Sequence, residues 1–73
     1  MLGRKGAGKG KDHPSTLISV NNLGKLLQAQ GKLDDALPFY RRSLEGSERT
    51  LGKDHPATRT YARNLAGLLK ILG

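Results

Sequence analysis

Two aspartate–histidine pairs, Asp12-His13 and Asp54-His55, could do acid–base or metal chemistry, since a carboxylate can orient an imidazole or share a cation with it. Each pair is followed by proline, and Lys-Asp-His-Pro recurs whole at residues 11–14 and 53–56. Equivalent positions of a repeated unit lie one unit apart in a stacked array, so the two pairs do not converge on one centre with a nucleophile. Capping of a helix start accounts for them more simply. A second candidate, Gly3-Arg4-Lys5-Gly6-Ala7-Gly8-Lys9-Gly10, has the glycines and lysine with which a backbone loop surrounds phosphate. Gly10 replaces the Ser or Thr that would hold magnesium, and no strand leads into a loop starting at residue 3. The chain is therefore expected to be no enzyme and to need no metal and no cofactor.

Recognition by amides and cations is the third candidate. Asn22 and Asn64 recur at equivalent positions away from the leucine stripes, with Asn21 and Lys25 in the first copy and Arg63 and Lys70 in the second. No acidic residue lies in 14–30 or 56–73. Recurring carboxamides beside cations without competing carboxylates suit an acidic or carboxylate-bearing ligand. Asn21, Asn22, Lys25, Arg63, Asn64 and Lys70 are thus the expected binding residues, and the family resemblance given below implies that what they bind is an extended peptide.

The elements that must position these residues follow from a 42-residue period. Moving residues 10–31 onto 52–73 superposes Gly10, Lys11, Asp12, His13, Pro14, Thr16, Asn22, Leu23, Leu26, Leu27 and Gly31 on identical residues without a gap. A fixed period of this length marks stacked supersecondary units that bury their apolar faces only against neighbours. Pro14 and Pro56 open helices, because the missing amide of proline costs nothing at the first helical position. In the first helix Leu17, Val20, Leu23, Gly24 and Leu27 share one side at 100° per residue, with Leu26 at its margin. Gly31 ends it. Leu33, Ala36, Leu37, Tyr40, Leu44 and Leu51 form the stripe of a second amphipathic helix, with Asp34 and Asp35 at the positive end of its dipole. Pro38 is expected to bend the start of that helix, and Gly46 to fray it after Leu44. Ala62, Leu65, Ala66, Leu69 and Leu72 repeat the first stripe. The fold class is therefore all-α: antiparallel helix hairpins of an α-solenoid, about one and a half repeats in three helices. A HEAT-like array has a period in the same range.

Domain organisation follows the same period. Residues 1–10 read as a flexible, basic, glycine-rich leader, 11–52 as a complete repeat and 53–73 as the first half of a second. Of the net charge of +7, four charges belong to Arg4, Lys5, Lys9 and Lys11, so the excess is concentrated near the leader. The 73 residues hold a small core, and fewer than three repeats make a solenoid marginal, so the chain reads as part of a longer array with a weak or concentration-dependent melt. The absence of cysteine fits a reducing compartment, and with no long apolar run a cytoplasmic, non-membrane protein is expected.

Three stretches, Leu51-Gly52-Lys53-Asp54-His55-Pro56-Ala57-Thr58, Asn21-Asn22-Leu23-Gly24 and residues 30–45 (QGKLDDALPFYRRSLE), together resemble a long tetratricopeptide repeat of the kind found in kinesin light chains and nephrocystin-like proteins. The resemblance implies that Gly24 and Ala36 let helices approach closely and that Tyr40 is an aromatic wedge. It also implies that the first helix of each repeat lines a concave groove in which asparagines hold an extended peptide. Leu33, Ser43 and Gly46 depart from the usual tyrosine, alanine and isoleucine or alanine. The expected function is a protein-interaction module of a scaffold or adaptor that binds an extended acidic peptide, with an uncovered repeat end that invites self-association through Leu65, Leu69 and Leu72. Two other functions fit less of the sequence: a basic leader that binds nucleic acid or an anionic surface, and a purely structural spacer. The first lacks aromatic stacking platforms.

Overall fold

The computed structural model describes residues 13–73, so the expected leader at residues 1–10 lies outside the described residues. Three helices follow one another: α1 (Pro14–Ala29), α2 (Leu33–Thr50) and α3 (Pro56–Leu72). Both prolines stand at the first helical position, as their missing amides dictate. The residues that cap these helices are the repeated histidines: His13 Nδ1 accepts from the Ser15 amide at 3.1 Å and His55 Nδ1 accepts from the Ala57 amide at 3.0 Å. Each bond pairs one of the first-turn amides that a helix start leaves without an intrahelical partner. The recurrence of histidine is therefore a helix-start device, with one ring nitrogen of each already committed to the backbone.

Gly31 closes α1 with φ +83°, and the amides of Gly31 and Lys32 turn back to the carbonyls of Gln28 and Leu27. Gly52 repeats the device after α2 with φ +92°. Both positions need the left-handed backbone that glycine reaches without a Cβ penalty. α2 runs unbroken through Pro38 and Gly46 to Thr50, which corrects the expected fraying after Leu44. Gly46 is buried, and packing of this face outweighs the roughly 1 kcal/mol that glycine costs in a helix interior.

The core is centred on α2. Ala36 and Tyr40 of α2 cluster with Leu68 of α3, and Leu27, Leu33, Leu37 and Leu65 pack around them. Gly24 on α1 makes room for the tyrosine: a Cβ there would lie 2.9 Å from Tyr40 Cδ1 and Cε1. Ser43 and Ser47 are also fully buried on α2, their hydroxyls donating at 2.9 Å to the carbonyls of Tyr40 and Leu44 in their own helix. Each acts as a small side chain with its polar atom satisfied locally, so the serine at the alanine-like position 43 does not weaken the interface.

The leucine stripes need correction. Leu17, Val20 and Gly24 are buried and Leu27 is half-buried, but Leu23 is 47% exposed and Leu26 55% exposed. On α3 the buried residues are Thr58, Tyr61 and Leu68, while Ala62, Ala66, Leu69 and Leu72 face solvent and Leu65 is half-buried. A helix inside a stack has two apolar faces, one for the helix before it and one for the helix after it. α1 uses the second of these against α2, and α3 uses the first. Leu23 and Leu26 are the period equivalents of Leu65 and Leu68, which α2 covers on α3.

Candidate functional site

α1 and α3 lie side by side over α2, and the groove between them holds a cleft of about 450 Å3. Its walls are Lys25, Gln28 and Ala29 from α1 and Arg63, Asn64 and Gly67 from α3, and Tyr40 of α2 forms its floor. Helical spacing explains the assembly: Lys25, Gln28 and Ala29 recur at three and four residues along one side of α1, as Arg63, Asn64 and Gly67 do along α3. Gly67 stands where α1 has Lys25 one period earlier, and a Cβ at Gly67 would meet nothing within 4 Å. The α3 wall is thus low at that point, and backbone is accessible to a ligand.

Two hydrogen bonds fix the site. Tyr40 donates its hydroxyl proton to Gln28 Oε1 at 2.7 Å, which ties the floor to the α1 wall. Asn64 Nδ2 donates to Asn21 Oδ1 at 3.2 Å, which ties α3 to α1 directly. Burial raises the Tyr40 phenol above its ordinary value of 10.0, so it remains a neutral donor at physiological pH. Among the described residues no carboxylate lines the cleft, and Lys25 and Arg63 give it a positive potential from both walls.

The structure distributes the six expected residues unevenly. Lys25, Arg63 and Asn64 line the cleft. Asn21 is only 6% exposed and acts as the brace for Asn64. Asn22 and Lys70 are exposed and outside the lining residues. Asn22 and Asn64 are period equivalents, yet they differ in environment for a geometric reason. Parallel neighbours related by translation turn opposite flanks toward each other, so equivalent residues cannot meet. Asn64 meets the residue preceding its equivalent.

Gln28, Ala29, Tyr40 and Gly67 were not legible as site residues. Tyr40 belongs to the apolar stripe of α2, and its hydroxyl reaches the groove only because Gly24 lets the ring lie against α1. The one available signal was the glycine–aromatic pair itself, since a close approach between α1 and α2 brings a tyrosine hydroxyl level with the next turn of α1.

None of the described helices is long and apolar enough to cross a membrane. No curated protein matches the chain. A family model described as tetratricopeptide repeat matches residues 15–73, nearly all of the three-helix unit. With its period, its capped helix starts and the tyrosine wedged on Gly24, the chain belongs to the tetratricopeptide repeat family, whose repeats are non-catalytic units that mediate protein–protein interaction.

Proposed function

We propose that this protein binds an extended, acidic peptide segment of a partner protein in the groove between α1 and α3, as part of a scaffold or adaptor and without catalysis. The observation that carries this reading is the cleft between Lys25 and Arg63, cationic on both walls, with no carboxylate among the described residues that line it. Asn64, braced by Asn21, offers amide groups to a peptide backbone, and Gly67 leaves room for that backbone to approach. The 42-residue period supports the long subtype of the repeat, as in kinesin light chains, and the lack of cysteine supports a cytoplasmic setting. Asn22 and Lys70 are assigned an outer role, in long-range attraction or none, because they lie outside the cleft.

Titration of the chain with a fluorescent peptide of alternating glutamate and glycine tests the reading. Binding is expected to weaken steeply with salt and to fall by at least tenfold in a Lys25→Glu, Arg63→Glu double variant, since two charge reversals act on one ligand. Unchanged affinity in that variant would contradict the site.

A further inference from the structure

α3 carries an apolar stripe that the described residues leave open. Ala62 and Ala66 are exposed and Leu69 is 45% exposed, and none of the three lines the groove between α1 and α3. One period earlier these positions are Val20, Gly24 and Leu27, on the α1 face seated against α2. Equivalent positions of a repeated unit are built for equivalent neighbours, so the α3 stripe is shaped for an α-helix that crosses it as α2 crosses α1. Its borders have changed chemistry: the fully buried Leu17 of α1 becomes Arg59 on α3, and Gln28 becomes Lys70. A copy of α2 does not fit that seat. On α1 the Tyr40 ring lies over Gly24, where a Cβ would come within 2.9 Å of it, and the tyrosine hydroxyl donates to Gln28 Oε1. On α3 the Cβ is present as Ala66, and the Lys70 ammonium, which has donors only, cannot accept the hydroxyl proton.

We infer that this face of α3 binds an amphipathic α-helix of a partner protein, one with a small residue where α2 has Tyr40 and a carboxylate where α2 has Ser47. The first requirement follows from Ala66 and Lys70. The second follows from antiparallel packing across the turn that joins α1 to α2. Leu17 stands seven residues before Gly24, which puts it level with Ser47, seven residues after Tyr40, and both Leu17 and Ser47 are fully buried. Arg59 takes the place of Leu17, so a helix seated on α3 draws a guanidinium toward the interface. Left alone there it would lose its hydration without a partner, and a carboxylate at that level supplies one.

A helix with an acidic border is favoured over a second copy of the chain. Two α3 faces brought together would set Arg59, Arg63 and Lys70 of one copy against the same cations of the other, with no acid in residues 56–73 to offset them. Residues 1–12 hold four cations against one acid and suit the face no better.

The test uses the 73-residue chain and two helix-constrained peptides of residues 33–50, one with the natural sequence and one carrying Tyr40→Ala and Ser47→Glu. The altered peptide is expected to shift the amide resonances of Ala62, Ala66 and Leu69, and Leu69→Asp in the chain to weaken it by about tenfold or more. The natural peptide is expected to bind at least about tenfold more weakly than the altered one. A chain carrying Arg59→Leu, Ala66→Gly and Lys70→Gln, which gives α3 the residues of α1, is expected to reverse that preference. All three positions are exposed, and circular dichroism checks that the helices persist. If they do not, the two peptides on the unaltered chain still decide. Equal affinity of the two peptides for the unaltered chain, binding that Leu69→Asp leaves unchanged, or no binding at all overturns the inference. So does self-association of the chain that Leu69→Asp abolishes, which would assign the face to a second copy. None of these outcomes touches the groove reading, which is tested separately at Lys25 and Arg63.

Discussion

Asn64 donates to Asn21 across the α1–α3 interface at 3.2 Å, and the two lie 43 residues apart, one more than the repeat period. That single-residue offset records how successive units of the stack face each other. It also makes a specific energetic demand, because Asn21 is buried and its oxygen has been removed from water. Asn21→Ala is expected to destabilise the chain by about 1 to 2 kcal/mol, the effect of losing the bond and leaving Asn64 poorly paired. Asn22→Ala, one residue along and exposed, is expected to stay within about 0.5 kcal/mol. Chemical denaturation of the two variants side by side measures the difference, and equal effects would remove the brace from the account.

The two helical glycines Gly24 and Gly67 should respond oppositely to alanine. At Gly24 a Cβ would meet the Tyr40 ring at 2.9 Å and Phe39 Cβ at 3.3 Å, and the ring is fixed by its own burial and by the bond to Gln28. Overpacking of this kind costs about 1 to 3 kcal/mol, which exceeds the roughly 1 kcal/mol gained in helix propensity only when the ring cannot yield. Because it is pinned on both sides, Gly24→Ala is expected to lower the melting temperature. Gly67→Ala meets nothing within 4 Å and is expected to stabilise by about 1 kcal/mol. Thermal melts of both variants decide the matter.

Thr58 is buried, and its Oγ1 has no hydrogen-bond partner among the described residues. An unsatisfied buried hydroxyl costs about 1 to 3 kcal/mol, and valine keeps the shape without the polar atom. Thr58→Val is therefore expected to raise stability by about 1 kcal/mol in urea unfolding. A loss of stability would mean that the hydroxyl is paired.

How much of this was legible in the sequence differs by level. The period, the proline and glycine boundaries and the helical spacing fixed three helices, because each is a local property of a few neighbouring residues. Which face of each helix is covered was not legible. At 100° per residue Leu23 and Leu27 fall close enough together to read as one stripe, whereas α2 takes Leu27 and leaves Leu23 in solvent. The two-sided demand of a stack is a tertiary fact that periodicity alone cannot express. At the site, charge composition pointed to Lys25 and Arg63, which line the cleft. It could not separate Asn21 from Asn22, because the distinction depends on the direction in which α3 lies.

Alkaline pH offers a separate probe of the core. Burial raises the phenols of both Tyr40 and Tyr61 above 10.0, since the charged phenolate is disfavoured away from water. Folding therefore holds the neutral form. Stability from this source is fully present below the unfolded value near pH 10 and is lost as pH rises through the higher folded values. Phenolate absorbance is expected to appear above pH 10 together with loss of helical circular dichroism. Complete ionisation at pH 10 with the helices intact would contradict the burial of both rings.

The central proposal, that an acidic peptide binds in the groove between α1 and α3, is tested most directly by following backbone amide resonances while such a peptide is added. The account predicts that Lys25, Gln28, Asn64 and Gly67 shift together and saturate at one affinity, while Arg41 and Arg42, exposed on α2, do not move. Shifts confined to Arg41 and Arg42, or spread evenly over every basic residue, would contradict it.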